Sequence, residues 1–215
     1  MKKITLFLFL FLAIITFAQA QQDPKAEKIL DAMSKKYQAM KAFNVDFVQT
    51  MENSTNKVKE TMQGNITISG DKFRLKIKDQ EIINNGSTIW TFMKSENEVN
   101  ISESDPDDQQ MSPNAIFNLY KKGYNKYAIV DEVKEAGQVY QVIELAPEDK
   151  NNPIFKVRIQ INKKDNSVKS WKMFRNNGNR YTYTIKQLNP NPVVDANTFT
   201  FDKNKYKGVK VVDLR

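Results

Sequence analysis

Residues 155–161, FKVRIQI, place Phe155, Val157, Ile159 and Ile161 on one side of an extended chain and Lys156, Arg158 and Gln160 on the other. A period of two describes a strand with one apolar and one wet face. The signature recurs along the chain. FNVDFVQTM carries Phe43, Val45, Phe47 and Met51 on one face, GNITIS offers Ile66 and Ile68, and KFRLKI offers Phe73, Leu75 and Ile77. EIINNGSTIWTFM reads as a hairpin about Asn85-Gly86, a strong turn pair, with Trp90 and Phe92 on one face of its second arm and Ile89 and Met93 on the other. NEVNIS, YAIVDEV, QVYQVIEL, SVKSWKMF and RYTYTIKQL follow as strands, then FTF and VKVV after Pro190 and Pro192. Trp171 and Met173 oppose Val168 and Phe174, while Tyr181, Tyr183 and Ile185 line one side of the next strand.

Two segments carry a helical period instead. Asp23 is a good N-cap and Pro24 suits the first helical position. Ala26, Ile29, Leu30, Met33, Tyr37 and Met40 then recur at three- and four-residue steps, which predicts a helix to about Met40. SPNAIFNLYKKG predicts a second helix, capped by Ser112, started by Pro113 and ended by Gly123, with Ile116, Phe117 and Tyr120 as its stripe. The inventory is about ten or eleven strands and two helices, with no internal repeat and no linker, hence one antiparallel sheet in one domain. A sheet of this size curls and either closes into a barrel or stays open around a helical plug. Two helices must cover most of its apolar surface. They manage this by lying inside the curl, and a helix that moves out leaves an apolar cavity for a ligand. The plainer alternative is a filled core.

Residues 1–20 stand outside this fold. Lys2 and Lys3 precede an apolar run, Ile4 to Ala18, that ends in Ala18-Gln19-Ala20, the form of a cleaved export signal. The run is shorter than the ~20 residues a membrane span needs. Cleavage after Ala20 leaves a domain over 21–215 and places it in the periplasm of a two-membrane bacterium. Without Lys2 and Lys3 the 33 basic residues fall to 31 against 25 acidic ones, a charge of +6. Export argues against nucleic acid as a partner; the charge would suit anionic lipid or acidic protein, but the Lys residues are scattered over strand faces and read better as a solvated face. The chain has no cysteine, so it forms no disulfide and takes no lipid on sulfur. It also has no histidine, which removes the commonest general base and zinc ligand. No nucleotide-binding loop or nucleophile elbow occurs, so no enzyme activity, metal or cofactor is expected. Glu103, Asp105, Asp107 and Asp108 lack the spacing of a calcium loop and read as a solvated turn. Glu144 reads as a half-exposed strand carboxylate.

The order of the elements resembles the periplasmic lipoprotein carrier family, LolA. The similarity runs from KAFNVDFVQT through QGNITISGDKFRL, IINNGSTIWTF, SPNAIFNLY, VIELAP, FKVRIQIN and SVKSW to the close DANTFTFDKNKYKGVKVVDLR. No one motif is strong, but the co-linear series is specific as a set. The resemblance implies an unclosed β-barrel with an α-helical lid, whose cavity accepts the acyl chains of a lipoprotein. It implies acylated lipoproteins as cargo, an inner-membrane lipoprotein-releasing transporter as donor, and an outer-membrane acceptor or the outer membrane itself as destination. A diffusing carrier is most simply a monomer. On the faces above, the expected cavity residues are Phe47, Met51, Phe73, Leu75, Trp90 and Phe92 in the first half and Val157, Ile159, Trp171 and Tyr183 in the second. Met33, Met40, Ile116, Phe117 and Tyr120 are the expected lid contacts. Phe73 matches the family's aromatic position, and Gln49 matches a residue read as structural. The Arg-Pro that precedes the aromatic strand in relatives, whose Arg holds the lid shut, is replaced here by ISGDKFRL, and Arg74 does not inherit the role. Carriage of another lipid, such as a glycolipid or pigment, and a lipoprotein-sensing module of the same fold are the alternatives.

Overall fold

The structure is a computed structural model and describes residues 22–53, 57–104, 115–195 and 197–215. The leader, Asp105, Asp107, Asp108, Ser112 and Pro113 lie outside the described residues.

Helix α1, Pro24–Gln38, starts where the caps predict. The Asp23 carboxylate accepts from the Lys25 amide at 2.8 Å. Its other oxygen accepts from the Ile129 amide at 3.3 Å, and the Asp23 amide donates to Tyr127 O at 3.0 Å. One residue thus caps the helix and ties it to the neighbouring strand edge. Ala26, Leu30, Met33 and Tyr37 form the buried stripe. The helix stops two residues short of Met40.

Among the described residues twelve strands follow in one sheet. They are β1 (Phe43–Asn53), β2 (Val58–Ser69), β3 (Lys72–Ile77), β4 (Gln80–Asn84), β5 (Thr88–Met93) and β6 (Glu98–Glu103), then β7 (Lys126–Glu135), β8 (Gln138–Ala146), β9 (Ile154–Asn162), β10 (Val168–Arg175), β11 (Asn179–Pro190) and β12 (Lys210–Asp213). Their order across the sheet is β12-β6-β5-β4-β3-β2-β1-β11-β10-β9-β8-β7. Every pairing is antiparallel except β12 on β6, which is parallel. The sheet is an unclosed half-barrel, and β1 against β11 joins the two meanders, with Phe47 opposite Ile185 and Gln49 opposite Tyr183. The predicted hairpin holds: Asn85 Oδ1 accepts from the Ser87 and Thr88 amides, and Gly86 sits at φ 100°.

Three expectations change. The second helix is, within the described residues, two 3-10 turns, Ala115–Phe117 and Leu119–Lys121, separated by Asn118 at φ −128°. Its apolar residues adhere to the core at the expense of helical phase. FTF is not a strand; its first residue, Phe199, is buried outside any strand. Phe155 leaves the apolar face, because the β9–β10 register slips between Phe174 and Arg175, so that Arg175 faces Ile154 and Phe155 is skipped. Such a bulge turns one side chain to the opposite face. Phe155 is 38% exposed, while Ile154, Val157, Ile159 and Ile161 are buried.

Two apolar cores result. The inner face packs on α1 and the two turns. The outer face of β4, β5 and β6 buries Ile83, Phe92 and Val99 under the C-terminal segment. There Phe92 lies 5.6 Å from Phe201 and 4.4 Å from Tyr206 between ring centroids.

Candidate functional site

The inner face encloses an apolar cavity of about 220 Å³. Strand alternation builds its floor. β1 supplies Phe43, Val45, Phe47 and Gln49, β2 supplies Met62, Ile66 and Ile68, and β3 supplies Leu75. On the other side Ile154 and Val157 come from β9, Trp171 and Met173 from β10, and Tyr183 and Ile185 from β11. The two turns bring Ala115, Ile116, Phe117 and Leu119 from outside the sheet, and Tyr124 follows them. Gly64 makes room in this wall: a Cβ there would meet Phe47 Cε1 at 2.8 Å and Ile77 Cγ2 at 3.0 Å.

Of the expected cavity residues, Phe47, Leu75, Val157, Trp171 and Tyr183 line the cavity, as do Ile116 and Phe117 of the expected lid contacts. Trp171 and Tyr183 stack with centroids 4.9 Å apart and planes 9° apart. Met51 shares the face of Gln49 but lies one step beyond the cavity end, half-buried opposite Tyr181. Phe73 and Ile159 belong to the inner core without reaching the cavity. Trp90 and Phe92 are a correction. Register places Glu81 opposite Phe92 and Ile83 opposite Trp90, on the face opposite Leu75 and Ile82. That face is covered by Phe201 and Tyr206. The pattern marked both faces of β5 as apolar and did not say which faced inward. Met33 is fully buried beneath α1, Met40 packs half-buried against the same core, and Tyr120 is buried just outside the cavity.

Met62 was hidden in a polar stretch, ETMQG; its register partner Gln49 is the signal that finds it. Phe43, Val45, Ile66, Ile68, Met173 and Ile185 stood on faces the alternation had identified. Leu119, Tyr124 and Ile154 needed the tertiary structure.

Polar contacts hold the two turns to α1. Asn118 Oδ1 accepts from Ser34 Oγ at 2.6 Å and Gln38 Nε2 at 2.9 Å. The Tyr120 hydroxyl donates to Asp31 Oδ1 at 2.5 Å, and Lys121 Nζ lies 3.3 Å from the same oxygen. The Tyr120 hydrogen bond, helped by Lys121, lowers the Asp31 carboxyl below its ordinary range. Phe117 stacks on Tyr37 at 3.9 Å. The Tyr37 hydroxyl accepts from the Val168 amide at 3.0 Å, and burial pushes it up to about 12. Arg74 takes no part in holding the turns. It lies on the outer face, bonded through Nε to Glu81 at 2.6 Å and through Nη1 to Thr198 O at 3.1 Å.

The wall contains one amide, one indole, two tyrosine hydroxyls and otherwise apolar side chains. Among the described residues no three His, Cys, Asp or Glu side chains converge as metal ligands. Glu144 lies on the outer face, 2.7 Å from Arg158 and 3.6 Å from Lys156. Among the described residues the lining carries no carboxylate, lysine or serine, and such a site excludes water from an apolar chain and holds it by burial.

A family model described as outer membrane lipoprotein carrier protein LolA matches residues 38–202. No curated protein matches the chain. Among solved structures, an uncharacterized conserved protein from Thermus thermophilus superposes with a TM-score of 0.56 at 12% identity, covering 88% of this chain and 99% of that one. LprF from Mycobacterium bovis gives 0.50 at 12% identity, with 83% and 99% covered. A LolA superfamily protein from Nitrosomonas europaea gives 0.45 at 13% identity, with 82% and 98% covered. The first two likenesses are of fold. The family match spans most of the chain and the half-barrel that carries the cavity, and the chain belongs to the LolA family of outer membrane lipoprotein carrier proteins.

Proposed function

We propose that the protein is a periplasmic carrier that binds the acyl chains of lipoproteins in its apolar cavity and shuttles them from the inner to the outer membrane. The observation that carries this reading is the cavity itself, mostly apolar and covered by two short turns in a chain of the carrier family. The leader over 1–20 exports it. An inner-membrane lipoprotein-releasing transporter loads it, and an outer-membrane acceptor or the membrane itself unloads it. It works as a monomer and without covalent chemistry.

The energetics favour exchange over simple insertion. An acyl chain with about fifteen buried methylenes gains roughly 12 kcal/mol at ~0.8 kcal/mol each. Three such chains exceed the ~18–21 kcal/mol ceiling of non-covalent affinity, and cargo so held would not leave. The cavity of about 220 Å³ is also small beside the ~300–1,000 Å³ of ordinary ligand pockets. Cargo therefore displaces Ile116, Phe117 and Leu119, which already bury apolar surface there, and the net gain is the difference between two apolar contacts. Native mass spectrometry of the mature protein from periplasm, followed by lipid extraction, tests the reading. A co-purifying triacylated lipoprotein is expected. A different lipid replaces the cargo, and an apo mass that persists after incubation with lipoprotein-bearing inner membranes overturns the proposal.

A further inference from the structure

Arg175 ends β10 at the end of the cavity away from α1. It follows Met173 on the inner face and stands opposite Ile154 across the bulge, and both neighbours line the cavity. At this end the lining changes from buried to half-buried: Gln49, Met62, Met173 and Tyr183 retain access to solvent, whereas Phe43, Val45, Ile66 and Ile68 do not. The Arg175 charge is felt at the Tyr183 hydroxyl. Burial, with a smaller push from Tyr181, raises that hydroxyl to about 12, and Arg175 opposes the rise.

The other cations of this region are engaged. Lys156 and Arg158 pair with Glu144, Lys172 pairs with Glu52, and Arg180 Nη1 donates to Arg175 O at 3.0 Å. Arg175 differs. Its Nε is buried and has no hydrogen-bond partner. A buried, unpaired donor on a charged group costs free energy that a bound acceptor returns. A guanidinium also presents a planar fork that fits a carboxylate or phosphate through two parallel hydrogen bonds. An apolar chain lying in the cavity would bring its polar end to this place.

We propose that Arg175 is the headgroup site of the cavity and takes the oxyanion, carboxylate or phosphate, of an amphiphile whose chain lies between β1, β10 and the covering turns. The proposal rests on the cavity binding acyl chains. It adds a ligand class, because acyl esters and amides offer only uncharged carbonyls, whereas a fatty acid or a phospholipid offers a charged group.

The test is direct binding to the delipidated mature protein of three probes with the same chain: hexadecanoate, hexadecyl phosphate and methyl hexadecanoate, each below its aggregation concentration. At least one acid should bind about tenfold or more tighter than the ester, equivalent to about 1.4 kcal/mol. Whichever acid is preferred identifies a fatty acid or a phospholipid as the source. Arg175→Gln should abolish the preference and leave the ester unchanged, and Arg175→Lys should retain part of it. If Arg175→Gln does not fold, the comparison of acids with ester in the wild type still decides. Equal binding of acids and ester overturns the headgroup site and leaves the cavity reading standing. An undiminished preference in folded Arg175→Gln also overturns the site. Failure of all three probes to bind overturns both readings.

Discussion

At the scale of the residue, the cavity depends on what is missing at one position. Gly64 faces Phe47 across β1 and β2, and the Phe47 ring occupies the space a side chain would take. Gly64→Val should force Phe47 toward the lining of the opposite wall. Overpacking of this kind costs about 1–3 kcal/mol. A lowered urea midpoint at unchanged slope, with loss of bound lipid, is the expected result; an unchanged midpoint would show that the ring moves freely. Glycine ahead of an alternating strand was visible in QGNITIS, but its partner was not. The same limit applied to Phe155. It alternates with Val157 in the sequence, yet a bulge places it on the outer face. Bulges depend on the register of the neighbouring strand, which a single segment does not encode.

At the scale of the element, α1 was legible from cap to stripe because its signals are local: Asp23, Pro24 and four apolar residues at helical spacing. The second predicted helix had the same signals and did not become one among the described residues. Ile116, Phe117 and Leu119 turn into the cavity, while Asn118 and Tyr120 bond to α1. Two short 3-10 turns, which serve as connectors, meet both sides here. Asn118→Ala removes two hydrogen bonds that fix the cover, each worth about 1 kcal/mol. Amide exchange at Lys121 and Lys122, whose N–H groups close these turns, should accelerate about thirtyfold, while the β9 amides stay protected. Equal acceleration in β9 would mean that the turns do not open on their own.

Across the whole molecule, one buried carboxylate helps tie the C-terminal segment to the first half of the sheet, beside the β12–β6 pairing and the Phe201 and Tyr206 rings. Glu81 accepts from Arg74 Nε at 2.6 Å and from the Tyr206 hydroxyl at 2.9 Å, and its side chain is 6% exposed. Burial opposes its ionisation, but Arg74 and Tyr206 together outweigh this, and its carboxyl falls below the ordinary 4.5. A depressed folded-state value means that the stabilisation is fully present above pH 4.5 and is lost as pH falls through the lower, folded value. Arg74→Met leaves the buried carboxylate with only the Tyr206 hydroxyl and the more distant Lys76, at 4.0 Å, and should cost about 3 kcal/mol at neutral pH. Its stability should also fall less steeply on acidification below about pH 5, a difference measured by urea unfolding at a series of pH values. Parallel acid profiles for variant and wild type would remove Glu81 from the account.

The sequence by itself determined the mainly β class, the helix at its start, most strands and the inner-facing residues of β1 and β11. These follow from periods of two and about 3.6, which sterics impose within one segment. It also carried the family resemblance, spread over many weak positions. Tertiary structure alone decided which apolar face of β5 turns inward, because Trp90 and Phe92 against Ile89 and Met93 satisfy the pattern equally. It took the segment around Phe201 and Tyr206, distant in sequence, to cover one of them. The position of Arg175 at the cavity end was likewise beyond the sequence, since it depends on the shift in register that pairs it with Ile154.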